Sequence, residues 1–298
     1  MSSAAPVIEI NPVSAIVPQG RARSILRTFA HEPAGVAGAL GVLLFTIIAV
    51  FAPWLAPHGS STTDVLHLTQ GPSWGHLFGT DELGRDVFSR VIIGTRASML
   101  AGFLSTAIGA GIGTALGVVS GYVGGWLDEG IMRILDIILA FPQVVLAIAL
   151  AATLGPSLTN VIGIIAFLFI PQFARVARGS VLVIKEMDYI TASRIVGVSR
   201  FRILLDHVLP NAFGPVLVLI SLSIPSAILT EAALSFLGVG IQPPAPSWGN
   251  LIADGSSNLL IDPWIAVFPG LTITVAVLAF NCLGDGLRDI FDPHAERK

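Results

Sequence analysis

The stretch VLPNAFGPVLVLISLSIPSAILTEAALSFL (residues 208–237) runs for thirty residues with a single charged side chain, Glu231. A helix needs about 20 mostly apolar residues to cross the hydrocarbon core of a bilayer. Pro215 and Pro225 interrupt this one, which is tolerated in a membrane helix because neighbouring groups satisfy the freed backbone. Working outward, five more stretches meet the same test: 34–55, 97–120, 131–154, 159–174 and 264–283. The expected fold class is all-α, a polytopic membrane protein with six transmembrane helices.

Composition agrees. Of 298 residues, 53% are hydrophobic and 12% charged, with a mean hydropathy of +0.82. A soluble domain carries about 25% charged residues. The net charge of −3 supplies no basic excess, so a nucleic-acid partner is not expected. One cysteine, Cys282, leaves neither a disulfide framework nor a cysteine metal site. Arg21, Arg23 and Arg27 precede the first stretch as in a signal peptide. Its apolar run of about 22 residues exceeds the 7–15 of a signal core, so it reads as a retained helix.

Lysine and arginine placement sets orientation, because positive loops stay in the cytoplasm. With the N-terminus inside, thirteen of the sixteen basic residues fall inside and only Arg85, Arg90 and Arg96 outside. Both termini are then cytoplasmic. The expected layout is a cytoplasmic tail over 1–33, a membrane domain over 34–292 and a cytoplasmic tail over 293–298. The membrane domain carries extracytoplasmic loops at about 57–96 and 238–263 and a cytoplasmic loop at about 175–207.

Small residues recur every fourth position in the second span: Ala97, Ala101, Ser105, Gly109, Gly113, Gly117 and Gly121. Such a row permits close helix packing in lipid. It drifts about 40° per step, so no single neighbour uses all of it. Arg133 and Asp136 lie three apart on the third span and are expected to pair on one helix face. Charged groups inside membranes are functional candidates by default, which marks Asp136 and Glu231 for translocation or gating. For Glu231 a hydrated position near a helix end is an equal reading.

The 175–207 loop is basic and too polar to enter the bilayer. Asp188 is placed to N-cap a short helix through Val196, Gly197 to end it, and Ser199 to cap a second helix leading to Pro210. Two short helices hinged at a glycine make a knob suited to a partner's groove. The spacing Thr191-Ala192-Ser193, Gly197, His207, Leu209-Pro210 resembles the EAA signature of bacterial ABC importer permeases, E-A-A-x3-G-x9-I-x-L-P. Thr191, Ser193 and His207 depart from it.

Further stretches resemble the peptide-permease group, most of all the C-type subunit of dipeptide/oligopeptide importers. They are FGTDELGRDVFSRVIIGTRAS (78–98), LDIILAFPQVVLAIALAATLGPSL (135–158), KEMDYITASRIVGVS (185–199), SAILTEAALSFLGVGIQPPAPSWGN (226–250) and GDGLRDIFDPH (284–294). The resemblance covers about 34–294. It implies a type I ABC importer permease fold in the cell membrane, paired as a heterodimer with a second homologous permease. Two cytoplasmic ABC ATPase subunits and an extracytoplasmic substrate-binding protein complete the implied complex. Asp188, Tyr189, Thr191, Ala192, Ser193, Arg194, Gly197, Ser199 and Pro210 become the ATPase-coupling residues. Asp81, Arg85, Pro244 and Trp248 become candidates for docking the binding protein, although the proline-stiffened 242–249 loop reads equally as a plug in the bundle mouth.

A phosphate-binding P-loop needs a lysine in G-x4-G-K-[ST]. The chain's two lysines, Lys185 and Lys298, have no such context, so ATP and Mg are expected on partner subunits and no cofactor on this chain. No catalytic or metal residues are expected. The substrate reads as peptides, with nickel, haem or another small solute as alternatives within the family. An ion-coupled secondary carrier would use Glu231 or Asp136, but no internal repeat of the kind such carriers show is evident. An intramembrane hydrolase lacks a serine–histidine or acid–acid pair within the spans.

The layout is tested by single cysteines in a background lacking Cys282. Cysteines at Ser60 and Ser257 are expected to react with an impermeant thiol reagent added to sealed cells, and one at Ser199 to stay unlabelled. Labelling at Ser199 from outside overturns the topology.

Overall fold

The computed structural model describes residues 32–257 and 259–291, and its regular elements are all helical. The tails, with Arg21, Arg23, Arg27 and residues 293–298, lie outside the described residues apart from Glu32 and Pro33. The helices are α1 (Pro33–Leu55), α2 (Val87–Val123), α3 (Gly125–Leu139), α4 (Gln143–Leu154), α5 (Leu158–Ile184), α6 (Asp188–Ile195), α7 (Arg200–Ile203), α8 (Leu209–Phe236), α9 (Trp248–Ser256) and α10 (Trp264–Phe291). A π turn, Leu204–Val208, joins α7 to α8, and Arg200–Phe236 is one 37-residue span.

Five helices are long and apolar enough to cross a membrane, or six if one bent pair counts as a single span. The expected third span over 131–154 is two helices, α3 and α4, at 86° to each other. Pro142 forces the break: it lacks an N–H and disfavours helix at Phe141 before it. Several helices also outrun their apolar stretches. At 37 residues, α2 is roughly 55 Å long. The fourth span does not stop near 174 but continues as α5 to Ile184, so the expected 175–207 loop shrinks to the segment 185–199, which holds α6.

The row of small residues on α2 is a helix contact, divided between neighbours as expected. Cβ atoms added at Gly109 and Gly113 would lie 2.9 Å and 2.7 Å from the Cβ atoms of Phe169 and Phe173. One at Gly117 would run into the Ala174 carbonyl, and one at Gly121 would reach Val181. All four glycines face α5, which runs parallel to α2 with its backbone nearly touching. Toward the start of α2 the neighbours change. Gly102 faces Ile224 and Ile228 of α8, and Gly94 faces the Pro246–Ser247 backbone.

Two apolar clusters fill the interior. One centres on α2, α5 and α8 and takes in Ile190 and Ile203 of the short helices. The other joins Phe45, Val91, Met99, Ile228, Trp248 and Phe280 toward the opposite end. Helix α1 packs on α10, where Gly38 and Gly41 meet the backbone around Ala279 and Leu283. The start of α1 therefore lies beside the last part of α10. The outer face of α1 exposes Leu40, Leu43, Leu44, Ile47, Val50 and Phe51, an unbroken apolar strip suited to hydrocarbon.

Gly117→Ala is expected to destabilise the protein by about 1–3 kcal/mol, since the added methyl must push two backbones apart. Gly111→Ala, where a Cβ meets nothing within 4 Å, serves as the comparison. The check is the thermal unfolding midpoint in detergent, which should fall for Gly117→Ala only.

Candidate functional site

Three regions hold the residues singled out from sequence. The first is the turn between α5 and α8. Helix α6 begins at Asp188, but its N-cap is Met187 and no side chain caps it. Asp188 is the first helical residue and helps only through the helix dipole, which corrects the expected cap by one position. The other end matches expectation. The Gly197 N–H donates to the Arg194 carbonyl and the Val198 N–H to the Ser193 carbonyl, both at 3.1 Å. That is a Schellman cap, with Gly197 at φ +84°. Ser199 caps the next helix by accepting from the Arg202 N–H.

Buried Ile190 and Ile203 root these helices in the core. Lys185 Nζ donates to the Gly121 carbonyl at 3.1 Å, and Tyr122 Oη to the Arg200 carbonyl at 2.7 Å. A bidentate pair between Arg178 and Asp128, at 2.6 and 2.7 Å, ties α5 to α3 beside them. The tip itself faces outward. Ile195, Val196 and Phe201 are 81%, 82% and 70% exposed, and Tyr189 is exposed beside them. Thr191, Ala192 and Arg194 are exposed as well, while Ser193 Oγ donates to the Tyr189 carbonyl. Pro210 is not part of the tip; it occupies the first turn of α8. The apolar tip residues escaped the sequence reading because the motif drew attention to its polar positions.

The second region lies at the opposite end. Asp81 accepts from the Leu83 and Arg85 N–H groups, both at 2.9 Å, and from Arg85 Nε at 2.7 Å. Its second oxygen also takes the Arg90 guanidinium, whose other nitrogen lies 3.3 Å from Asp254. Arg90 is fully buried and was not singled out from sequence. Asp81 is buried too and Arg85 largely so; they bind the loop to α9 rather than present a surface. Trp248 is likewise fully buried, donating from Nε1 to the Val91 carbonyl at 3.3 Å and meeting Phe45 edge-on. Asp81 and Trp248 are thus corrected from docking positions to internal ties. Within 242–249 the Pro246–Trp248 part is the plug, while Pro244 stays exposed.

The third region is intramembrane. Glu231 is fully buried, with no hydrated position: its carboxylate accepts from Ser98 Oγ and Ser235 Oγ, both at 2.8 Å. Ser98 Oγ in turn accepts from the Trp248 N–H, and Ser235 Oγ from the Ile241 N–H. Glu231 therefore fastens α2, α8 and the plug together. Asp136 does not pair with Arg133; it meets Arg175 of α5 at 2.6 Å in an exposed ion pair. Neither acid lines the apolar groove of about 690 Å³ between α2 and α8, whose walls include Phe103, Thr106, Thr114, Leu205, Phe213 and Ile224. Thr106 and Thr114 stand in its walls with buried hydroxyls that have no hydrogen-bond partner among the described residues.

Residues 113–297, more than half of the chain, match the family described as the binding-protein-dependent transport system inner membrane component. The chain belongs to this family. Residues 20–72 match the N-terminal TM domain of oligopeptide transport permease C. Similar relatives are glutathione transport system permease proteins GsiD of Escherichia coli O6:K15:H31 and Shigella boydii serotype 4, each 46% identical over 268 residues, covering 90% of this chain and 88% of theirs. That of Shigella flexneri serotype 5b is 47% identical over the same length. As an ABC permease of the peptide group, this multi-pass inner-membrane chain is a transport subunit, and it works in a complex with ATPase and binding-protein partners.

Arg90→Met is expected to destabilise by less than the about 3–5 kcal/mol of a wholly unpaired buried charge, because the Asp81 carboxylate loses one of its two guanidinium partners. Arg85→Met, at a position with some solvent access, should cost less. Unfolding midpoints of the purified permease rank the two.

Proposed function

We propose that this permease forms one half of a heterodimeric pathway for short peptides and that its α6–α7 knob transmits the ATP-driven motion. The observation that carries the reading is the knob itself. Three large apolar side chains stand in water on two short helices that are rigidly fixed to α2, α5 and α8. An exposed apolar patch on a rigid mount is the signature of a partner site. The partner is the ABC ATPase, which supplies ATP and Mg; this chain binds neither.

The orientation follows from the same reading. The knob faces the cytoplasm, and six crossings return the chain to the knob side, consistent with the start of α1 lying against the end of α10. Exposed Pro244 then faces the binding protein. Apposed to a second permease, the α2–α8 groove becomes part of the pathway wall, apolar enough not to trap cargo. ATP binding draws the ATPases together and moves the knob. The ATPase must contact the two permease states differently to shift their balance. Glutathione, a tripeptide, is the first cargo to try, because relatives sharing nearly half the residues are named for it.

Gly197→Val tests the knob. An added Cβ meets nothing within 4 Å, so the cost is conformational, about 1–2 kcal/mol for a non-glycine residue held at positive φ. The bundle should survive and the knob shift. Uptake, peptide-stimulated ATP hydrolysis and copurification of the ATPase should all fall at matched membrane abundance, while Ser60→Val keeps them. Normal uptake with full stimulation in Gly197→Val removes the knob as the coupling element.

A further inference from the structure

His58, just beyond α1, His76, in the following loop, and Asp86, at the start of α2, bring three donor atoms within 4.8 Å of one another. None of the three is used by the pathway or the knob. We propose that they form a binding site for a divalent transition-metal ion of the zinc type. His76 Nδ1 lies 2.9 Å from Asp86 Oδ1, and His58 Nδ1 lies 3.7 Å from Asp86 Oδ2. A tetrahedral ion with bonds of about 2.0–2.2 Å sets its donors roughly 3.4 Å apart. The two imidazoles meet different oxygens of the one carboxylate, and with one donor atom from each residue the three already lie within 4.8 Å, so side-chain rotation brings them onto a single ion.

The backbone already holds the donors in place. The His58 N–H donates to Ser89 Oγ at 3.0 Å, and the Ser89 N–H donates to Asp86 Oδ2 at 2.8 Å. The His76 carbonyl accepts from the Ser73 and Gly79 N–H groups at 2.8 and 2.9 Å. Thr80 bridges to Asp86 across the loop. The Asp86 carboxylate is 2% exposed, whereas the His58 ring is 44% exposed. The ion would therefore sit at the rim of the loop with its fourth position open to solvent. Two imidazoles and a carboxylate suit zinc, copper or nickel, whereas calcium and magnesium prefer all-oxygen sites. His67 is nearby but engaged: its Nδ1 lies 2.7 Å from Asp64, whose carboxyl the Leu66 N–H and then His67 hold below the usual range. Bound metal would clip the end of α1 to the start of α2.

The experiment uses the full chain in detergent, purified without a histidine tag, with zinc affinity measured by competition against a chromogenic chelator near neutral pH. The expected result is one high-affinity zinc per chain, weakened about tenfold or more in both His58→Ala and His76→Ala and unchanged in His67→Ala. Zinc should raise the unfolding midpoint of the unsubstituted protein, and EDTA should reverse it. Because the His58 ring is half in solvent, His58→Ala should match the unsubstituted protein in EDTA but ignore zinc. Affinity should fall with pH as protons compete for the imidazoles. The proposal fails if the chain binds no zinc above chelator background, if His58→Ala and His76→Ala bind as tightly as the unsubstituted protein, or if His67→Ala loses as much as they do.

Discussion

The close approach of α2 to α5 governs the rest of the bundle. In lipid there is no hydrophobic force to press two apolar helices together, so they hold by backbone proximity and dispersion. Gly109, Gly113, Gly117 and Gly121 leave α2 without a Cβ at four successive contacts along this seam. With the seam closed, Gly121 and Tyr122 come within reach of Lys185 and Arg200. The placement of the knob is thus a consequence of glycines up to four helical turns away from it.

Polar groups take over where the seam ends. Arg90 bridges Asp81 and Asp254 at one end, and deeper in Ser98 and Ser235 hydrogen-bond Glu231. Arg90 lies between two carboxylates, as a buried charge requires, and Glu231 is held by hydroxyls of two helices. These sets fix how the plug and α9 sit on the helices, which dispersion alone would leave loosely specified.

The sequence carried the six apolar stretches, the glycine row, the Gly197 hinge and the Ser199 cap, because each is a local signal of period, φ or side-chain hydrogen bonding. Helix ends were misplaced where hydropathy and helicity diverge: α5 stays helical through Arg175 and Arg178 after it ceases to be apolar. The partners of Asp136 and Glu231 were also illegible. Arg175 lies 39 residues from Asp136 and Ser98 lies 133 from Glu231, and only the packed bundle brings them together. For the same reason Trp248 and Asp81 read as surface residues when their loops were viewed alone.

The π turn at Leu204–Val208 sets the rotational phase of a whole helix. Ile203 and Val208 are both fully buried although they stand five residues apart, a spacing that an α-helix would turn onto different faces. Beyond the turn the buried positions Ala212 and Val216 resume steps of four. One residue more or fewer in an α-helix rotates everything downstream by about 100°. The extra residue absorbed there is what aims Glu231 at Ser98, some two dozen positions later, instead of into lipid. Five residues beside the knob thus work as an index mark, keeping the two ends of the long helix in angular register.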